Sequence, residues 1–299
     1  MGVEYREEPC RTALNRVQGM GFRWSLNPYM GCAHRCTFCY VRAFERRADR
    51  PSDSRYGASI RVKVNVVERL RDELARPSWE RECVAVGAAT DPYQPAEGRY
   101  RLTRGCIEVF AAAKNPFSLI TRGPMIVRDV DVLQEAARRA EVSVNFSIPT
   151  LDDAVWRTTE PGTAPPRQRL RAVKRLVDAG IKAGVALAPI LPGLSDEPEQ
   201  LEQVVREARE AGATHVWANV LYLKPGTREH FLEQLARDWP EELERYEQLY
   251  GNRAYMAKKD AEPVRAYVGE LRKRYGIADR RRAPLAPPPE PEQLSLRVA

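Results

Sequence analysis

The stretch Asn27-Pro-Tyr-Met-Gly-Cys32-Ala-His-Arg-Cys36-Thr-Phe-Cys39-Tyr40 sets three cysteines at a C-x3-C-x2-C spacing. The chain has 6 Cys in 299 residues, and the others are scattered at Cys10, Cys83 and Cys106. A reducing compartment keeps so few cysteines as thiols or metal ligands and not as a disulfide framework. The spacing therefore predicts that the three clustered cysteines bind a metal centre.

The composition is typical of a soluble globular protein, with 43% hydrophobic and 30% charged residues. The 48 Lys and Arg exceed the 41 Asp and Glu and give a formal net charge of +7. The longest nearly apolar stretch, residues 184–194, is about half of the roughly 20 residues that a membrane helix needs. The charged first eight residues contain no apolar segment of a secretory signal. We expect a cytoplasmic protein without a membrane span.

Short β-branched runs alternate with amphipathic stretches from about residue 24 to residue 223, as in βα units. The predicted strands are residues 25–30, 83–89, 117–121, 142–148, 183–190 and 215–222. The predicted helices between them are residues 64–74, 105–113, 131–140, 166–179 and 199–211. Because the strands are continuous apolar runs, we predict the α/β class with a parallel sheet covered by helices.

The pattern divides the chain into four segments. We predict an N-terminal extension over 1–23, a core over 24–226 and a C-terminal helical cap over 227–276. The cap contains charged helical stretches at 228–236, 241–250 and 263–275. Residues 277–299 are rich in Pro and Arg, a composition that favours a disordered tail.

Polar residues follow several of the predicted strands. They include Thr90-Asp91 after the second strand and Arg122 after the third, and Asn145 and Ser147 lie in the fourth. Because the carboxyl ends of parallel strands face the active site in βα architectures, we expect these side chains to line a catalytic mouth.

Two kinds of metal centre compete for the three cysteines. Structural zinc takes four ligands, usually from two separated pairs, and this chain offers single histidines for the fourth place: His34, His215 or His230. A [4Fe–4S] cluster is normally held by four thiolates, so three cysteines leave one iron open. The alternatives are a zinc-stabilised nucleic-acid-binding protein without catalysis and an enzyme with a reactive iron.

Residues 32–40, Cys-Ala-His-Arg-Cys-Thr-Phe-Cys-Tyr, resemble the cluster loop of the radical S-adenosylmethionine (SAM) enzymes. In that family SAM binds the open iron, and reduction cleaves it to a 5′-deoxyadenosyl radical. The resemblance implies a partial (β/α)6 TIM-like barrel with C-terminal helices, a [4Fe–4S] cluster and SAM. It places the cluster on Cys32, Cys36 and Cys39, and Phe38 against the adenine.

A narrower resemblance is to the subgroup around spore photoproduct lyase, over residues 27–223. It rests on Asn27-Pro-Tyr-Met-Gly before the loop, Tyr40 after it, and Thr90-Asp91-Pro-Tyr-Gln-Pro on the second strand. It implies that Thr90 and Asp91 bind the SAM amino group. The other implied SAM contacts are Arg122 to the carboxylate, Asn145 or Ser147 to the ribose, Ile190 to the adenine, and Tyr40.

One residue departs from the subgroup pattern. The lyase has a hydrogen-donor cysteine just before its Thr-Ser-Asp segment, and Ala89 stands at that place here. Alanine cannot donate a hydrogen atom to a substrate radical, so thymine-dimer reversal by that mechanism is not expected. Tyr40 and Tyr93 are candidate catalytic radical relays.

The resemblance leaves the substrate open. Basic clusters at residues 42–61 and 272–282 favour a nucleic acid, while acidic residues within the first cluster favour an ordinary solvated surface. The chain has no flavin or dinucleotide motif of its own. We therefore expect an external electron donor of the flavodoxin or ferredoxin type.

Overall fold

Seven strands form the main sheet of the structure, a computed structural model that describes residues 2–279. Six of them run parallel and lie side by side in chain order, and an antiparallel strand borders the first. In spatial order they are β2 (Leu14–Arg16), β3 (Trp24–Leu26), β6 (Val84–Val86), β7 (Phe117–Thr121), β8 (Val142–Ser147), β9 (Lys182–Ile190) and β10 (Val216–Val220). A small second sheet contains β1 (Glu4–Glu8), β5 (Ser59–Lys63) and β4 (Tyr29–Met30).

Helices lie between the parallel strands and follow the last one. They are α1 (Arg42–Arg47), α2 (Val66–Leu74), α3 (Pro95–Tyr100), α4 (Leu102–Ala112), α5 (Val130–Arg139), α6 (Asp153–Thr159), α7 (Pro166–Asp178), α8 (Pro198–Glu210), α9 (Thr227–Asp238), α10 (Leu243–Tyr250) and α11 (Lys258–Arg274). A crossover joins each parallel strand to the next, and the strands follow one another in one direction across the sheet. This is the connectivity of a partial barrel. The predicted α/β class and the partial (β/α)6 barrel are confirmed.

The first predicted strand, residues 25–30, is in fact two strands in different sheets. Pro28 separates β3 from β4, because proline has no amide hydrogen for a strand ladder. The second predicted strand ends early, at Val86. Gly87 follows it with φ of +86°, and a side chain there would meet the Ile120 carbonyl oxygen at 2.6 Å.

The sequence patterns missed the small sheet and the short helices α1, α3 and α6. Strands β1 and β5 pair in parallel, and β4 joins β5 in antiparallel register. The three helices have six or seven residues each. Such segments are too short to show a clear helical periodicity.

The two faces of the main sheet differ in chemistry. One face carries apolar residues such as Val185 and Leu187, which share a core cluster with Leu201 and Val204 of α8. The opposite face carries small or polar residues in two runs of paired positions, Ser25–Ala85–Ser118–Ser143 and Asn145–Gly184. Because paired residues share a face, this side of the sheet is lined by small and polar side chains.

The segment after β10 packs on the barrel. Helix α11 lies against β10 and α8, Ile277 is buried, and Ala278 bridges to His215. The first residues of the predicted tail therefore lie against the sheet, and residues 280–299 lie outside the described part. The division into extension, core and cap stays a prediction. No helix in residues 2–279 has the length and apolarity needed to cross a membrane.

Candidate active site

The three clustered cysteines lie in the loop of residues 31–40, called here the cysteine loop, between β4 and α1. Cys32 and Cys36 are buried, Cys39 is half-buried, and all three are free thiols. Burial raises the pKa of Cys36 to about 12, although the nearby Arg122 opposes the shift. Burial also raises the pKa of Cys32. These thiols stay protonated unless a metal displaces their protons.

A buried glutamine fixes the start of the cysteine loop to the end of β6. The Gln94 side chain accepts a hydrogen bond from the Ala33 amide at 3.0 Å and donates to the Gly31 carbonyl at 3.1 Å. It also donates to the Thr90 hydroxyl, which itself donates to Gly31 at 2.6 Å. Thr90 is therefore next to the loop, and its hydroxyl is engaged with the loop backbone.

Asp91 joins three segments at the carboxyl edge of the sheet. One carboxylate oxygen accepts from the Thr121 hydroxyl at 2.6 Å, and the other accepts from the Arg122 amide at 2.7 Å. The His34 ring of the cysteine loop lies 3.2 Å from the second oxygen. Burial opposes ionisation, but His34 and the hydrogen bonds outweigh it and lower the pKa of Asp91 to about 2. Asp91 is thus an ionised anchor for the loop.

Two glycines allow distant segments to approach the loop backbone. A Cβ at Gly57, where φ is +78°, would lie 2.3 Å from the Cys32 carbonyl oxygen. A Cβ at Gly162 would lie 2.5 Å from the Ala33 carbonyl oxygen. Because no side chain fits at either place, these contacts require glycine.

Arg122 lies beside the cysteine loop and is paired with a buried carboxylate. Its guanidinium is 5.5 Å from the centroid of the Phe38 ring and donates from Nε to Glu160 at 2.5 Å. It also donates from Nη2 to the Ala188 carbonyl at 3.1 Å. Its Nη1 forms no hydrogen bond within residues 2–279. Glu160 also pairs with the fully buried Arg169 at 2.9 Å.

A row of tyrosines connects the cysteine loop to the surface. The ring centroid of Tyr40 is 5.8 Å from that of Tyr222, which is 5.5 Å from that of Tyr255. Tyr255 is 57% exposed. The Tyr40 hydroxyl donates to the Ala88 carbonyl. The row starts next to Cys39 and ends in solvent.

Other predicted site residues lie away from the loop. Tyr93 is buried in the main core, and its hydroxyl donates to Asp129 at 3.1 Å. Asn145 accepts from Trp217 at 3.1 Å inside the barrel, and its oxygen is 3.0 Å from a ring nitrogen of His215. Ile190 is fully buried. The hydroxyl of Ser147, which is also buried, forms no hydrogen bond within the described residues.

The three histidines are not arranged as ligands of the cysteines. His34 contacts Asp91, and the ring nitrogens of His215 lie within hydrogen-bond distance of Thr214 and Asn145. His230 lies buried on α9. Within residues 2–279, no three His, Cys, Asp or Glu side chains come together around a position for one metal ion. A [4Fe–4S] cluster does not require such a position, because each cysteine ligates a different iron.

The basic residues after the cysteine loop are largely neutralised. Arg46 pairs with Glu229, Arg50 with Glu45 at 2.6 Å, and Arg55 with Asp53 at 2.7 Å. This surface therefore offers a weaker attraction to a polyanion than its arginine count suggests.

A single-wound parallel half-barrel with three free thiols at its carboxyl edge is the architecture of an iron–sulfur radical enzyme. The chain belongs to the radical SAM superfamily, whose sequence profile matches residues 26–205. The family implies a [4Fe–4S] cluster and SAM, and its members need an electron donor. The protein is therefore a radical SAM enzyme, and the alternative of a non-catalytic zinc protein is set aside.

Similar proteins cover nearly the whole chain. An uncharacterised protein of Mycobacterium tuberculosis is 39% identical over 99% of this chain and 87% of its own. An uncharacterised protein of Acidianus two-tailed virus is 29% identical over 71% of each chain. A spore photoproduct lyase mutant, solved with AdoMet and dinucleoside spore photoproduct, superposes with a TM-score of 0.69 at 16% identity. That match covers 91% of this chain and 79% of the lyase chain, and it confirms the resemblance in fold.

Sequence reasoning missed several residues that shape the site. Gln94 lies within Thr90-Asp91-Pro-Tyr-Gln-Pro. A polar side chain between two prolines is the signal that could have identified it. Glu160 lies in a segment without a clear pattern, and Tyr222 ends a predicted strand. Nothing local marks them, because their partners are distant in the chain.

Proposed function

We propose that Cys32, Cys36 and Cys39 each ligate one iron of a [4Fe–4S] cluster and that SAM occupies the open iron. When bound, this pair supplies a 5′-deoxyadenosyl radical that abstracts a hydrogen atom from the substrate. The observation that carries the proposal is the position of three free thiols, none in a disulfide, in one clamped loop at the carboxyl edge of the barrel. Clamping matters because metal-site geometry depends on the residues that orient the ligands.

The charges around the loop fit a zwitterionic ligand. Arg122 has one guanidinium nitrogen without a partner among residues 2–279 and faces Phe38, which supports its assignment to the SAM carboxylate. Thr90 and Asp91 are proposed at the amino group, where they also hold the loop in place. Of the two ribose candidates, Ser147 has the uncommitted hydroxyl, so we favour it over Asn145.

Anaerobic reconstitution tests the proposal. Iron and sulfide are added, the cluster is reduced with dithionite, and 5′-deoxyadenosine is measured after SAM is supplied. Ala substitution of Cys32, Cys36 or Cys39 should abolish deoxyadenosine formation. Cys106→Ala is the matched control, because Cys106 is equally buried but lies on α4. A full four-iron cluster that yields no deoxyadenosine under any condition would contradict the proposal.

We propose Tyr40 as the radical relay. Its ring touches Tyr222 and its position adjoins Cys39, whereas Tyr93 has its hydroxyl on Asp129. Hydrogen-atom transfer from the phenol quenches a carbon radical in the site and leaves a neutral tyrosyl radical. That radical is then reduced by one electron and one proton from an external thiol or electron donor.

Freeze-quench electron paramagnetic resonance tests the relay. A tyrosyl signal should form in the reduced, SAM-loaded protein and disappear in Tyr40→Phe, while Tyr93→Phe keeps it. A signal that survives in Tyr40→Phe and disappears in Tyr93→Phe would reverse the assignment.

The exposed end of the tyrosine row supports a nucleic-acid substrate. Tyr255 stacks on Tyr222 and is largely exposed, and the Lys224 ammonium lies 6.0 Å from its centroid. Stacked aromatic rings beside a cation suit an unpaired base and its phosphate. The structurally similar lyase was solved with a dinucleoside spore photoproduct, which adds weight to this class. Because Ala89 stands where the lyase has its hydrogen-donor cysteine, we do not expect this protein to reverse the spore photoproduct by the lyase mechanism.

Oligonucleotide binding tests the substrate class. Tyr255→Ala should weaken binding of a single-stranded oligonucleotide by roughly tenfold, since one stacked base contributes about 1–3 kcal/mol. Tyr100→Ala is the control, because Tyr100 lies on α3 and packs against Tyr5. Equal binding by wild type and Tyr255→Ala would instead favour a peptide or small-molecule substrate.

A further inference from the structure

Arg42 is a fully buried cation that has no carboxylate partner in the described part of the chain. It starts α1, three residues after Cys39, and is 1% exposed. Its guanidinium donates only to backbone carbonyls, at 2.8 Å to Ser52 and 2.6 Å to Asp53, with longer contacts to Cys36 and Arg35. No carboxylate of the described residues lies within ion-pair distance of it.

The carboxylate of Asp53, whose carbonyl accepts from Arg42, is already engaged. The Asp53 carboxylate binds the Arg55 guanidinium through contacts of 2.7–3.1 Å and points into solvent. Burying an arginine without an anion costs free energy that backbone carbonyls recover only in part. The fold therefore buries the positive charge of Arg42, and the compensating negative charge has to come from another group.

The cysteine loop is where that negative charge would come from. Arg42 contacts the Cys36 carbonyl, and its guanidinium carbon lies 4.6 Å from the centroid of the Tyr56 ring. The Tyr56 hydroxyl is 3.6 Å from the sulfur of Cys39. Arg42 thus lies directly behind two of the three proposed ligands. Arg122, in contrast, has a carboxylate partner, Glu160, which it shares with Arg169.

We infer that Arg42 is the fixed counter-charge of the cluster and raises its reduction potential. The inference rests on the proposed function. Three thiolates on a doubly positive four-iron core leave one net negative charge, and the electron from the external donor adds a second without a proton. A fixed positive charge in a low-dielectric interior stabilises the more negative state more strongly. Arg42 is a positioning and tuning residue and does not touch the substrate.

A redox titration of the reconstituted protein tests the inference. The midpoint potential is measured without SAM for wild type, Arg42→Gln and Arg42→Lys, together with iron and sulfide content. Arg42→Gln removes the charge, and its potential should shift to a more negative value. Arg42→Lys keeps the charge, and its potential should stay near that of wild type even where cluster loading falls. Arg167→Gln, at an exposed ion pair with Glu207, is the control and should show no shift.

The outcomes separate two failures. A wild-type protein that loads no four-iron cluster overturns the proposed function. A loaded Arg42→Gln protein with the wild-type potential overturns only the counter-charge. If Arg42→Gln does not load, Arg42→Met is titrated in its place: a potential more negative than that of Arg42→Lys upholds the inference, and equal potentials of these two variants overturn it.

Discussion

The guanidinium of Arg122 lies 5.5 Å from the centroid of the Phe38 ring, so the end of β7 meets the cysteine loop through a cation–π contact. The same guanidinium is tied to Glu160, which also binds Arg169. One buried carboxylate therefore holds two arginines in place. The orientation of Arg122 toward the loop depends on a residue 38 positions later in the chain.

Replacing Glu160 by Gln should destabilise the protein strongly. The two arginines oppose the effect of burial and lower the pKa of Glu160, so the native protein holds it ionised. We expect Glu160→Gln to lower the free energy of unfolding by about 3–5 kcal/mol, because it leaves buried positive charge uncompensated. Urea unfolding of the apoprotein measures this. Glu207→Gln, which breaks the exposed pair with Arg167, should cost less than about 1 kcal/mol. Equal effects of the two variants would contradict the buried-pair explanation.

A side chain at Gly162 should push the cysteine loop out of place. The Cβ of Gly162→Ala would meet backbone atoms of Ala33 and His34 at 2.5–2.8 Å. We expect a loss of about 1–3 kcal/mol of stability and a lower iron content after reconstitution. Gly269→Ala is the control, since nothing lies within 4 Å of its Cβ position on α11. That variant should be neutral or slightly stabilising, and full iron loading in Gly162→Ala would show that the contact is not needed.

Gln94→Ala should loosen the start of the loop. The change leaves the Ala33 amide and part of the Gly31 carbonyl without their partner. An unsatisfied buried group costs about 1–3 kcal/mol, so the midpoint of urea unfolding should fall. Faster amide hydrogen exchange at Ala33 would locate the change. Gln248→Ala, where an exposed side chain bonds Glu244, should leave both measurements unchanged.

His230 should make the apoprotein less stable in mild acid. Burial, with a smaller contribution from Arg42, lowers the pKa of His230 from 6.5 to about 4. The unfolded chain then binds a proton that the folded one does not, so stability falls as the pH drops from 6.5 toward 4. His230→Gln should remove part of this slope and gain roughly 1–2 kcal/mol relative to wild type between pH 7 and pH 5. Parallel stability curves for the two proteins would rule out His230 as the source.

The main sheet could be predicted from sequence because its strands are local apolar runs. Residues 117–121, for example, were predicted as a strand with the bounds that β7 has. The small sheet could not be predicted in this way, since β1 and β5 are charged strands whose pairing joins positions 55 residues apart. Pro28 is a sequence signal for the end of a strand. The apolar residues on both sides of it nevertheless favour one continuous strand.

The cysteine spacing predicted the kind of site, and the resemblance named candidates around it. What could not be predicted is how those candidates are engaged. Asp91 was expected near SAM, and the structure shows its oxygens bonded to Thr121 and the Arg122 amide. These hydrogen bonds depend on where neighbouring strands end in the folded protein. The residues of one motif do not specify which residues lie beside them in the sheet.

The Thr227 hydroxyl donates to the Cys39 carbonyl across 188 residues of chain, and the Thr37 hydroxyl donates to the Thr159 carbonyl across 122. At a translation rate of about 5–20 residues per second, Thr227 is added roughly 10–40 seconds after Cys39. During that interval the nascent chain carries three thiols in a segment that still lacks its distant partners. The proposed cluster ligands therefore leave the ribosome before the residues that hold their loop in place, and during this interval their thiols are open to oxidation.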